Sequence, residues 1–105
     1  MKRFLIASGA ALLGAASVAL AATEIVQKDK QFSEQAISVK SGDKVRFVND
    51  DTVTHNITVV EPNGESRSGI VQKPGETSDV QFGAEGIYEV RCLIHPKMKL
   101  SVEVR

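Results

Sequence analysis

From residue 24 onward, polar and apolar residues alternate in short runs closed by turn residues. Ala36 to Lys40 alternates and stops at Ser41-Gly42-Asp43. Lys44 to Asn49 sets Val45 and Phe47 on one face and charged residues on the other. His55 to Glu61 is closed by Pro62-Asn63-Gly64, and Ile70-Val71 is bounded by Lys73-Pro74-Gly75. Thr77 to Phe82, Ile87 to Cys92 and Leu100 to Val104 follow, and Glu24 to Lys28 opens the series. Successive side chains of a strand point to opposite faces, so this period of two marks half-buried strands. The spacing predicts an all-β domain of about seven strands, arranged as a two-sheet β-sandwich with Greek-key connections. Its expected core is Ile37, Val39, Val45, Phe47, Ile57, Val59, Val80, Phe82, Tyr88, Val90, Val102 and Val104. No helical period runs longer than a turn, and the Gly and Pro punctuation would interrupt one.

The first residues follow another pattern. Lys2 and Arg3 precede an uncharged, Ala- and Leu-rich stretch from Phe4 to Leu20, and Ala19-Leu20-Ala21 supplies a small-x-small cleavage site. This reads as a secretory signal peptide over residues 1–21, removed to leave a single domain at 22–105. The stretch is short for a membrane span and is interrupted by Ser8, Gly9, Gly14 and Ser17, so no stable membrane insertion is expected after cleavage.

Charge adds an exclusion. Basic and acidic residues balance at 13 each, and loss of Lys2 and Arg3 leaves the domain slightly acidic. With no basic stripe and few aromatics, nucleic acid is not the partner.

A domain this small buries only about 60% of its unfolded surface and benefits from a staple. Exported mini-domains generally use disulfides. Here there is one cysteine, so a metal is the remaining candidate.

The candidate chemistry lies in Cys92-Leu93-Ile94-His95-Pro96-Lys97-Met98, where a thiolate, an imidazole and a thioether recur every three residues between two predicted strands. His55, at the start of another strand, would complete the set. Beyond Met1 the chain has one Cys, two His and one Met, and the constellation uses all four. Two imidazoles, a thiolate and a weak thioether select copper for electron transfer. Structural zinc sites prefer Cys and His without Met, in paired spacing. Cys92 and His95 share one small loop with no recognisable oxyanion element, which argues against hydrolysis and against an enzyme.

At these residues the chain resembles the cupredoxins, and especially the amicyanin, plastocyanin and pseudoazurin group. The likeness extends from Val39 through Asn49 to His55-Asn56, and from Gly86 to Cys92 and the His95-Pro96-x-Met98 ending. It implies one Cu(I)/Cu(II) ion per chain in a type 1 site, with His55, Cys92 and His95 as strong ligands and Met98 as the axial one. It also implies a monomer in the periplasm, shuttling single electrons between redox proteins such as a c-type cytochrome or an amine dehydrogenase. Asn56 would tie the two ligand loops together and aim its backbone N–H at the Cys92 sulfur.

Two positions depart from the family pattern. Leu93 stands where a hydroxyl residue is common, and Ile94 where proline is common. Ile94 keeps its N–H, which is expected to give the sulfur a second hydrogen bond. Asp50 and Asp51 before His55, with Lys97 and Lys99 beside Met98, put both signs of charge near the site.

Other readings predict different behaviour. A periplasmic copper chaperone or store would share the ligands but release the metal to an acceptor. An oxidase or nitrite reductase module would need further copper sites, for which a third histidine is lacking. A metal-free adhesive sandwich would leave the ligand loop unexplained.

Overall fold

The computed structural model describes residues 23–105, and the expected signal peptide lies outside these residues. Nine strands form two sheets: β1 Thr23–Lys28, β2 Gln31–Phe32, β3 Ala36–Val39, β4 Lys44–Asn49, β5 His55–Val60, β6 Ile70–Gln72, β7 Thr77–Gln81, β8 Gly86–Arg91 and β9 Lys99–Val104. One sheet has the order β2-β1-β4-β7, and the other β3-β9-β8-β5-β6. β1 pairs parallel with β4 and β3 parallel with β9, while the remaining pairs are antiparallel. The all-β sandwich expected from the period-two pattern is the fold observed.

Nine strands stand where about seven were expected, and one of them, β2, has no run of its own in the sequence pattern. β2 is two residues long and closes a hairpin with β1 through Asp29 and Lys30, both left-handed at φ 54 and 58. Two-residue hairpin turns of this hand usually announce themselves through Asn-Gly or Asp-Gly. Asp29-Lys30 lacks the glycine, so the turn carries no sequence signal.

Eleven of the twelve expected core residues are buried, and Ile37 packs partly buried against them. Ile25, Phe32, Cys92, Met98 and Leu100 join the core as well. Phe47 is fully buried in the middle of β4, edge-on to Phe32 at 6.1 Å. A polar group is also buried: Gln27, Asn49 and Gln72 are each 0% exposed. Gln72 Nε2 donates to Phe47 O at 3.0 Å, joining β6 of one sheet to β4 of the other. Asn49 Nδ2 donates to Val53 O and to Gln72 O, both at 3.0 Å, and its Oδ1 accepts the Asp51 N–H. This Asx turn folds residues 50–54 back on the sandwich and delivers His55 to the start of β5.

Candidate metal centre

Two elements bring the site together. β5 starts with His55, whose ring points into the sandwich and is fully buried. The second element is the connection between β8 and β9. There His95 N–H donates to Cys92 O at 3.2 Å and Met98 N–H to His95 O at 2.9 Å. These two i→i+3 turns fold the loop back so that the Cys92 and His95 donor atoms meet, and Met98 closes the second turn. Cys92 and Met98 are buried in the core, while His95 is partly exposed.

The donor atoms are close. Cys92 Sγ lies 3.7 Å from His55 Nδ1 and 3.6 Å from His95 Nδ1. The three potential ligand atoms all fall within 4.8 Å of one another. First-row metals bind imidazole nitrogen and thiolate sulfur at roughly 2.0–2.3 Å. Two such bonds opening at about 120° separate nitrogen from sulfur by about 3.7 Å, so the spacing suits a trigonal set of two nitrogens and one sulfur. The rings of His55 and His95 meet edge to face, with centroids 4.9 Å apart.

Residues 19–105 match the family described as copper binding proteins, plastocyanin/azurin family. The chain belongs to this family. Among curated relatives, amicyanin-alpha of Methylorubrum extorquens is 29% identical over 84 residues, covering 78% of this chain and 71% of that one. The methylamine utilization protein MauL of the same organism is 27% identical over 81 residues, covering 77% and 71%. A solved amicyanin variant in its reduced Cu(I) form at pH 4 superposes with a TM-score of 0.74 at 27% identity, covering 87% of this chain and 89% of that one. As a cupredoxin, the protein takes one copper per chain.

The cupredoxin's buried histidine has a carboxylate behind it. His55 Nε2 lies 2.9 Å from Asp51 Oδ2, which also accepts the Lys30 N–H at 2.9 Å, while Asp51 Oδ1 accepts the Thr52 N–H. The Lys30 amide, and after it the His55 ring, hold the Asp51 carboxyl well below the usual carboxylate range. An ionised carboxylate only accepts, so His55 Nε2 carries a proton toward Asp51, and Nδ1 faces the sulfur. Burial, then the nearby His55 and Lys30 charges, push the His95 imidazole below its ordinary value. The shift favours the neutral ring, the form in which a ring nitrogen can bind metal.

The sequence placed Asp51 only among the charges near the site; what it did not show is that a carboxylate four residues before this histidine folds back onto its ring. Asp50 does stay outside, 3.8 Å from Lys28 Nζ. Asp51 stabilises the fold above the ordinary carboxylate pKa of ~3.9, and that stabilisation is lost as pH falls toward its depressed folded value. In metal-free protein, Asp51→Asn should lower the denaturation midpoint near neutral pH, and the deficit should shrink in acid. A gap that ignores pH would remove Asp51 from this role.

The surroundings of the sulfur correct a second expectation. Asn56 N–H donates to Cys92 Sγ at 3.3 Å. Among the described residues, Ile94 N–H makes no such bond. The turn closed by His95 N–H on Cys92 O sends the Leu93 amide to Asn56 Oδ1 at 3.3 Å and leaves Ile94 on the outside, 52% exposed.

Proposed function

We propose that this cupredoxin is exported to the periplasm, loses residues 1–21 and carries single electrons between redox proteins. In this reading His55, Cys92 and His95 would hold copper strongly and Met98 weakly. The observation that carries it is the nitrogen-to-sulfur spacing of 3.6 and 3.7 Å between side chains held by β5 and by the β8–β9 connection of one sheet. Bound copper supplies the one-electron couple between Cu(I) and Cu(II). The chain's own contribution is to keep the donors still. His55 is pinned by Asp51, Cys92 Sγ by the Asn56 amide, and the loop by its two turns. Donors that barely move demand little reorganisation when the charge changes.

His95 is the electron's exit. It is the one partly exposed member of the set, flanked by the exposed Leu93 and Ile94 and followed by Pro96. These side chains form an apolar rim on which a partner can exclude water, while Arg91, Lys97 and Lys99 bear on encounter rates and salt dependence. The amicyanin and methylamine utilization relatives support an amine dehydrogenase or a c-type cytochrome as partner.

The test is to load the purified protein with Cu(II), record the visible spectrum, and mix the reduced form with an oxidised c-type cytochrome in stopped flow. One equivalent should give an intense blue band that bleaches and returns over many cycles, with copper retained. Copper passing to a chelator faster than electrons pass to the cytochrome would sink the carrier reading in favour of a metal-delivery protein.

A further inference from the structure

Asn56 joins the two ligand-bearing elements through its backbone, which faces the sulfur, and through its side chain, which faces the Cys92 loop. That side chain is held by a third residue. Thr58, two positions on along the same face of β5, donates its hydroxyl to Asn56 Oδ1 at 2.6 Å. Asn56 Oδ1 also accepts the Leu93 N–H at 3.3 Å. Both Thr58 and Asn56 are buried. The segment before β6 covers them, and it does so with a glycine. A Cβ on Gly69 would collide with Asn56 Nδ2 and sit 2.9 Å from Thr58 Oγ1, so the Asn56 amide would have to shift to admit one.

An amide oxygen only accepts, so the Thr58 hydroxyl must donate to it. The Leu93 N–H, which only donates, puts the amide oxygen on its side, and the Thr58 hydroxyl, donating to the same oxygen, holds the side chain there. Turned over, Asn56 would set its NH2 group against the Leu93 N–H, donor against donor. Leu93 cannot supply the orienting hydroxyl, because its side chain is apolar and 64% exposed.

We propose that Thr58 is a positioning residue for the copper centre: its hydroxyl orients Asn56, which holds the Cys92 loop against β5 and keeps its own N–H on the thiolate. Gly69 is the small residue that leaves room for this arrangement. The proposal rests on the assignment of His55 and Cys92 as ligands for its effect on copper, while the clamp itself is made by protein atoms alone.

Two readouts separate those levels. In metal-free protein, Thr58→Val should speed amide hydrogen exchange at Leu93 by roughly two- to tenfold, the worth of one hydrogen bond, while amides of β1 and β4 stay unchanged. In copper-loaded protein the same variant should lower the reduction potential, because a thiolate with a weaker hydrogen bond donates more electron density and favours Cu(II). Thr58→Ser should behave like the parent. Adding Leu93→Ser to Thr58→Val should restore both readouts, since a hydroxyl then reaches Asn56 from the loop side.

If Thr58→Val fails to fold, Gly69→Ala disturbs the same amide and should shift both readouts in the same direction. Unchanged Leu93 exchange in the Thr58 variant, or an equal change in Thr58→Ser, would overturn the proposal. Faster exchange with an unmoved potential would keep the clamp and refute its action on copper. Faster exchange in a protein that never turns blue would instead count against the ligand assignment.

Discussion

Copper-loaded protein carrying Cys92→Ser is expected to lose its intense visible band completely. Cys92 is the chain's one cysteine, so no other thiolate can take its place. A serine hydroxyl is not ionised at neutral pH, and neither imidazoles nor a thioether can produce a thiolate-to-copper transition. The fold should survive, because serine is close in shape and its hydroxyl inherits the Asn56 N–H and the two ring nitrogens as neighbours. Far-ultraviolet circular dichroism should therefore match the parent while the blue colour is gone. A band of undiminished intensity in the variant would mean that the sulfur is not a ligand.

Phe47→Ala is expected to cost the metal-free protein about 3–5 kcal/mol, the usual range for truncating a buried aromatic. Phe47 is fully buried in β4, between β1 and β7, and packs edge-on to Phe32. The surrounding backbone is hydrogen-bonded on both sides and cannot close the cavity. Domains of this size hold only about 5–15 kcal/mol in total, so much of the metal-free population should unfold on modest heating. Copper should reverse most of this, because a ligand that binds only the folded state at about a thousand times its Kd adds about 4 kcal/mol. Denaturant titrations with and without copper would measure both quantities. A loss below about 1 kcal/mol would show that the sandwich repacks around the gap, contrary to its close-packed core.

Much of this was readable in the residues. Period-two alternation in Lys44–Asn49 and Lys99–Val104 reports faces because each strand has one side on the core, and the burial of Val45, Phe47, Leu100, Val102 and Val104 follows that parity. The three-residue spacing of Cys92, His95 and Met98 was legible for a similar reason, since a loop that short allows few ways of turning three side chains together. β5 was less legible. His55 through Val59 are all buried, because the segment before β6 covers the face that alternation alone would leave outside.

The chain alone determined an all-β sandwich and its inward-facing residues and pointed to a copper-selecting donor set, since these depend on residue type and on spacing along the sequence. The tertiary structure decided what lies between segments. It brought Asp51 and the Lys30 amide onto His55, set the Thr58 hydroxyl and Gly69 around Asn56, and withheld the Ile94 amide from the sulfur. Each of these depends on ångström-scale approach of particular atoms, whether within one strand, around a single turn or between segments far apart in sequence. A hydrogen bond forms or fails over less than about one ångström, and no period or composition encodes a distance that fine.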